Sequence, residues 1–282
     1  MQSEHIFKQY DAELEAVRAK VLEMGNLVEQ QIVDALESLV TSNPKLAENV
    51  IKKDHLVNAL EVQVDEDCSH IIARRQPAAG DLRMILMMVK TITDLERIGD
   101  EAAKIARFAQ KTYESDRIWT PRFAEIKAMA TLAREMLHMA LDAFARSDAT
   151  KVLAIAQMDE QVDDQYQMII RQLITFMLED PRTISMSLEV LFISKAIERI
   201  GDHAKNISEY VVYMVKGRDV RHISMEEMEQ EAYQWEESLP PERLAELQRA
   251  TLIASAGSST RLAGSELSDV EVEEISKSSG QK

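Results

Sequence analysis

A chain of 282 residues, 45% of them hydrophobic, can bury one large core or two small ones. Its formal charge of −16 argues against a nucleic-acid partner and suits cation binding or docking on a basic protein surface. Cys68 is the only cysteine, which excludes an intrachain disulfide framework, and neither a signal-peptide core nor a run of roughly 20 apolar residues is visible, so a cytoplasmic protein is expected.

From the N-terminus on, apolar residues recur at helical spacing and no strand alternation is seen. The pattern predicts six long helices, at 4–41, 44–75, 82–114, 121–146, 148–179 and 185–216. Asn43-Pro44 and Thr120-Pro121 read as a helix cap followed by proline in the first turn. Pro77 to Asp81 and Asp180-Pro181 interrupt other segments, and Gly217 reads as a C-terminal stop. Beyond it acidic residues outnumber basic ones two to one. Ser224-x-x-Glu227 is a capping box for a short helix, Pro240-Pro241 can introduce another, and disorder is expected from Ala254 on.

The second half repeats the first. Glu96-Arg97-Ile98-Gly99-Asp100 returns as Glu198-Arg199-Ile200-Gly201-Asp202, flanked by matching Leu95/Ile197, Ala102/Ala204 and Ile105/Ile207. Asp54-x-x-Val57-Asn58 answers to Asp159-x-x-Val162-Asp163, and Ala35-Leu36 to Ala140-Leu141. The expected fold is all-α: two tandem antiparallel three-helix bundles, at 1–115 and 116–217, followed by an acidic extension at 218–282.

The duplication preserves carboxylates. On the third helix of each repeat the apolar stripe runs Met88, Leu95, Ile98, Ala102, Ile105 and Val190, Ile197, Ile200, Ala204, Ile207. At about 100° per residue, Glu96 and Asp100 project away from that stripe, one turn apart, as do Glu198 and Asp202. The second helices carry Asp54, Asn58 and Glu61, and Asp159 and Asp163, along one flank. Convergence of these flanks gathers three or more oxygen ligands per repeat, a donor set for magnesium, manganese or iron. Like charges at i,i+4 repel by a few tenths of a kcal/mol, and a helix-interior glycine costs roughly 1 kcal/mol. A bound cation would remove the first cost, and a close approach of helix or ligand would explain the second. The alternative is a solvated acidic face, with Asp100 paired to Lys104.

Other constellations read as structural. Glu135-x-x-His138 and Asp67-x-x-His70 are surface pairs, and His203 is either solvated or an accessory ligand. Arg74-Arg75 suits a C-terminal helix cap. Most of the 15 methionines fall on core stripes, with Met84, Met87 and Met88 as an alternative partner surface. Neither a glycine-rich phosphate loop nor a nucleophile elbow is present.

The stretch Ile72-Ala73-Arg74-Arg75-Gln76-Pro77-Ala78-Ala79-Gly80-Asp81-Leu82-Arg83, with both Glu-Arg-Ile-Gly-Asp motifs and His203-Ala204-Lys205-Asn206-Ile207, closely resembles the PhoU family of bacterial phosphate-signalling regulators. The resemblance covers about 4–217 and leaves the extension without a role. It implies two three-helix bundles that dimerise, are not enzymes, and work at the cytoplasmic face of the membrane. The implied partners are the sensor kinase PhoR and the ATPase subunit of the phosphate ABC transporter, so that contact with the membrane is indirect. It implies negative regulation of the phosphate-starvation response and control of phosphate uptake. It also implies divalent or iron-type metal ions at Glu96, Asp100, Glu198 and Asp202; the second-helix flank adds Asp54, Asp159 and Asp163 as the expected further ligands. Asn58, standing where the second repeat has Asp163, would make the first site poorer in charge. A carboxylate-bridged metal enzyme and a metal-free helical scaffold are the rival readings.

Overall fold

A computed structural model describes residues 2–114 and 123–237. Its helices are α1 (Gln2–Thr41), α2 (Pro44–Arg75), α3 (Ala79–Glu114), α4 (Phe123–Arg146), α5 (Val152–Glu179), α6 (Ile184–Lys216) and α7 (Met225–Glu237), with no strand among the described residues. Short 3₁₀ turns at Ala149–Lys151 and Pro181–Thr183 lead into α5 and α6. Thr120-Pro121, Pro240-Pro241 and the segment from Ala254 lie outside the described residues.

The punctuation residues act as their chemistry dictates. Asn43 is extended, and its side-chain oxygen accepts from the Leu46 amide at 3.3 Å, with Pro44 opening α2. Asp180 does the same for the following turn, accepting from the Arg182 amide at 3.0 Å. Gly217 ends α6 in the left-handed region at φ 72°, its amide bonded to the Tyr213 carbonyl at 2.9 Å. Ser224 and Glu227 exchange the two bonds of a capping box: the Glu227 amide donates to Ser224 Oγ at 3.2 Å, and the Ser224 amide donates to Glu227 Oε2 at 2.9 Å. Arg74 and Arg75 stand in the last turn of α2, as expected, but the cap residue is the one after them. Gln76, at φ 49°, supplies the cap, because Pro77 blocks continuation of the helix. Arg75 instead grips Glu13 of α1 with two bonds, at 3.0 and 2.6 Å.

Helices α1–α6 belong to one compact unit that runs to Met228. Within each repeat the third helix packs on the other two, and α3 also packs along α6. Val50, Val57, Val64 and Ile71 form a buried seven-residue stripe on α2, matched by Ile155, Val162 and Ile169 on α5. Leu95, Ile98 and Ile105 of α3 and Ile197, Ile200 and Ile207 of α6 are likewise buried. Met87 and Met88 are in this core and Met84 is partly buried against it, so these methionines fill space and leave no methionine-rich outer surface.

The contact between the repeats has a local twofold character. The Phe108 and Phe192 rings stack with centroids 5.7 Å apart, and Lys90 lies 5.5 Å from the centroid of the Tyr210 ring. Advancing Phe108 and Lys90 by one repeat gives Tyr210 and Phe192, so these are one antiparallel contact seen from its two sides. Between α1 and α4, a Cβ at Gly25 would stand 2.5 Å from Leu141 Cδ2, so glycine there permits the close approach. Arg18 of α1 donates to the Phe144 carbonyl at 3.1 Å and to the Ala145 carbonyl, satisfying the C-terminal end of α4.

Candidate functional site

Helices α2 and α3 bring Asp54 and Glu61 alongside Glu96 and Asp100, all half-buried. Burial raises the Glu96 carboxyl above its ordinary range, with further upward pressure from Asp100, Glu61 and Asp54. Asp54 is raised for the same reasons, by burial first and then by Asp100, while Arg107 and His55 act on it only as nearby charge. The motif glycine explains the proximity. A Cβ on Gly99 would meet Gln31 Oε1 at 3.2 Å, Val57 Cγ1 at 3.4 Å and Asp54 Oδ1 at 3.6 Å. Gly99 therefore lets α1 and α2 close on α3. The buried Asp54 Oδ1 has no hydrogen-bond partner, and neither amide atom of the buried Gln31 has one.

The second repeat places Asp159 and Asp163 of α5 beside Glu198 and Asp202 of α6. Burial of its inner side, then repulsion by Glu198, Asp159 and Asp163, push the Asp202 carboxyl up to about 6, although its outer side is exposed. Burial, Asp159 and Glu198 raise Asp163 as well. Here two lysines enter. Lys205 Nζ donates to the buried Asp159 at 2.7 Å. Lys195 Nζ donates to Glu198 at 2.5 Å and lies 5.4 Å from the centroid of the Tyr166 ring. Gly201 faces Val162 and Met136 at 3.5–3.6 Å.

All seven sequence-chosen acids thus fall into two groups, one per repeat. Their oxygen donors suit hard or borderline cations in chemistry, and the orphaned Asp54 Oδ1 marks a place where one would compensate a buried charge. As the side chains stand, no three His, Cys, Asp or Glu residues among those described are close enough to hold a metal ion, so any site requires the carboxylates to rotate. Gln31, Lys195 and Lys205 were missed in sequence reasoning. Gln31 interrupts the apolar α1 run between Val28 and Ile32, and Lys205 stands where the first repeat has Ala103; both departures from the repeat were visible.

Other expectations change. Lys104 does not pair with Asp100; it and Arg199 converge on the buried Glu101, at 3.0 and 3.1 Å. His203 is not solvated. It is buried where α3 meets α6, its Nδ1 2.6 Å from Asp94 Oδ1, with Asn206 donating to the same oxygen at 3.4 Å. It points away from solvent because one residue past Asp202 is 100° further round the helix. His138 lies on the surface, 3.3 Å from Glu29 of α1, and Asp67 pairs with Lys20 at 2.7 Å.

Fold and site together define a duplicated helical-bundle protein whose Glu-x-x-x-Asp pairs line the groove between the second and third helices of each repeat. The family profile described as "PhoU domain" matches residues 21–109 and 126–211. A phosphate-specific transport system accessory protein PhoU homolog of Pseudomonas aeruginosa is 47% identical over 228 residues, 80% of this chain and 93% of that one. The PhoU protein of Escherichia coli K12, described in the same terms, is 44% identical over 227 residues, 80% and 93% of the two chains. Among solved structures, Pseudomonas aeruginosa PhoU superposes with a TM-score of 0.71 at 46% identity, covering 74% of this chain and all of that one. The phosphate transport system regulatory protein PhoU of Streptococcus pneumoniae gives 0.69 at 30% identity, covering 75% and 99%. The chain belongs to the PhoU family.

Proposed function

We propose that this chain is an accessory protein of a phosphate-specific transport system and a negative regulator of the phosphate-starvation response. It acts in the cytoplasm as a non-enzymatic homodimeric adaptor, between the ATPase subunit of the phosphate ABC transporter and the sensor kinase PhoR, and restrains both signalling and uptake when phosphate is plentiful. The observation that carries this reading is the match over nearly the whole length of relatives named for that transport system. The absence, among the described residues, of any helix long and apolar enough to cross a membrane fits attachment through partners.

Glu96, Asp100 and Asp54, and Glu198, Asp202, Asp159 and Asp163, are the residues that would hold divalent or iron-type ions. Bound there, a cation supplies positive charge that relieves the carboxylate repulsion and fixes the relation of second to third helix. The surrounding side chains do the rest: Gly99 lets α1 and α2 approach α3 closely, and Val57 and Val162 wall off the core side of each groove. An enzymatic reading needs histidine ligands in an enclosed site, whereas His203 is engaged by Asp94 and His138 lies on the surface.

Deletion of the gene at high phosphate, with alkaline phosphatase as the readout, tests the regulatory role. Derepression that the intact gene reverses is expected, and normal repression after deletion would overturn the assignment. Glu96→Ala with Asp100→Ala is expected to lose bound metal while circular dichroism stays unchanged. Equal metal content by elemental analysis would sink the metal reading and leave the regulatory one standing.

A further inference from the structure

The arginine of each Glu-Arg-Ile-Gly-Asp motif lies outside the carboxylate groups. Arg97 belongs to a series on α3, Arg83, Lys90, Arg97, Lys104 and Lys111, spaced by seven residues. That interval returns to nearly the same side of a helix, so the five cations form one stripe. The stripe runs along the contact of α3 with α6. Lys90 lies 5.5 Å from the centroid of the Tyr210 ring, and Lys104 and Arg199 meet on Glu101 at 3.0 and 3.1 Å. Lys111 lies 5.5 Å from the centroid of the Phe108 ring, which stacks on Phe192. Arg199 is Arg97 advanced by one repeat, so each copy of the motif places its arginine on this seam.

Helices α1 and α4 back the α3–α6 pair on one side, since α1 packs on α3, α4 on α6 and α1 on α4. The other side is open. Arg97 and Lys111 are exposed there and bind no carboxylate among the described residues. The side chains of Lys104 and Arg199 are 44% and 45% exposed, whereas Glu101, the acid between these four cations, is buried. In a chain of formal charge −16 this is a basic band, roughly 21 Å long from Arg97 to Lys111. Beside its Lys111 end, Phe192 and Leu188 stand one turn apart on α6, 54% and 41% exposed. At the other end the fold itself brings an acid to the stripe: Asp219, held first by Arg221, also feels the charge of Lys90.

Glu101 shows how the seam treats a carboxylate, with one cation from each repeat closing on it. Arg97 and Lys111 offer charge to a carboxylate arriving from outside. The shallow groove between two packed helices accepts a third helix. A broad anionic surface fits poorly. Glu96 and Asp100 flank the band on one side and Glu198 and Asp202 on the other, adjoining the motif arginines in sequence. A bilayer or nucleic acid laid across this face meets their repulsion inside the about 8–10 Å reach of screened charge. A single helix stays on the band.

We propose that the open side of the α3–α6 seam docks an acidic helical segment of another protein. Its carboxylates meet Arg97, Lys104, Lys111 and Arg199 over about four turns, and an apolar residue at one end packs on Phe192 and Leu188. Neither carboxylate cluster takes part, so the inference stands apart from the metal reading.

The probe is a fluorescein-labelled helical peptide of about 18 residues, with glutamates along one face and two leucines at one end. Fluorescence anisotropy measures its binding to the full-length chain. Saturable binding is expected, weakened by added salt and weakened roughly 10-fold or more in Arg97→Glu/Lys111→Glu. Arg134→Glu/Lys127→Glu on α4 is expected to bind as the unsubstituted chain does. Both pairs are exposed, so unchanged melting temperatures separate lost docking from lost folding. Phe192→Ser is expected to weaken the patterned peptide and to leave a leucine-free version unaffected. Absence of binding overturns the proposal, as does equal binding of a peptide with the same composition and its glutamates scattered around the helix. Vesicles of phosphatidylglycerol and phosphatidylethanolamine that bind the chain, and lose it in Arg97→Glu/Lys111→Glu, would assign the seam to a lipid surface instead. A change of oligomeric state in that variant by sedimentation would assign it to a second copy.

Discussion

The first and second repeats share a backbone and a five-residue motif, yet they handle buried negative charge by different means. In the first, like charges crowd beside an unpartnered Asp54 oxygen; in the second, Lys205 reaches the buried Asp159 and the exposed Lys195 pairs with Glu198, both from the same helix as the motif. Duplication preserved the helical phase of the acids, because that phase is tied to the core stripe. It did not preserve their neighbours, which each half could change without disturbing the packing. The interface between the halves shows the same freedom. One ring stack and one cation–ring contact occupy equivalent places, and buried Glu101 with its two cations stands opposite buried His203 with Asp94.

The largest test of this contrast uses Glu209, which is buried in the second repeat where the first has the exposed Arg107. Burial pushes its carboxyl from 4.5 up to about 7, opposed by Lys205 and Arg221. The folded state therefore holds this proton more tightly than the unfolded chain. Its contribution favours folding below about pH 4.5 and is lost as pH rises through 7. Glu209→Gln is expected to raise stability at pH 8 by up to roughly 3 kcal/mol and to change nothing near pH 4. Arg107→Gln is expected to stay within about 0.5 kcal/mol at both. Denaturant unfolding at the two pH values checks both.

Next in size, Lys205→Met leaves the buried Asp159 without its cation. A loss of about 2 kcal/mol is expected in the metal-free protein at pH 8, measured by the same unfolding curves. Absence of any loss would mean that Lys205 is not the counter-ion of the cluster. A smaller effect separates the two motif glycines. At Gly201 a methyl meets only ordinary contacts, so Gly201→Ala is expected to stabilise by about 0.5–1 kcal/mol through helix propensity. Gly99→Ala is expected to gain less or to lose, because Gln31 must move from 3.2 Å. Thermal melts of the two variants side by side decide it, and equal gains would erase the distinction. The smallest effect lies at the repeat interface. A double-mutant cycle on Phe108 and Phe192 is expected to couple by about 1 kcal/mol, and one on Lys90 and Tyr210 by about 0.5 kcal/mol.

Helix order and nearly every boundary were legible because proline, asparagine, glycine and the seven-residue valine stripe of α2 act locally. The start of α3 was read three residues late, since nothing in Ala79-Gly80 marks a first turn, and that of α5 four residues early, since Ala149–Lys151 forms a 3₁₀ turn before it. The seven acids were legible because their spacing is itself a helical coordinate. Gln31, Lys195 and Lys205 were not, for a physical reason: which partner a buried oxygen finds depends on a helix distant in sequence, or on which way a long side chain turns. His203 illustrates the point. Adjacency to Asp202 in sequence suggested a ligand or a solvated ring, whereas the antiparallel packing of α3 on α6 delivered Asp94 to it from 109 residues away.

By itself the sequence determined that this protein is a duplicated set of three helices with carboxylate pairs one turn from each other, because periodicity and repetition are properties of a chain. Only the tertiary structure decided that the halves differ in how those carboxylates are met. That difference depends on distances between helices and on the turn of long side chains, which the sequence does not state.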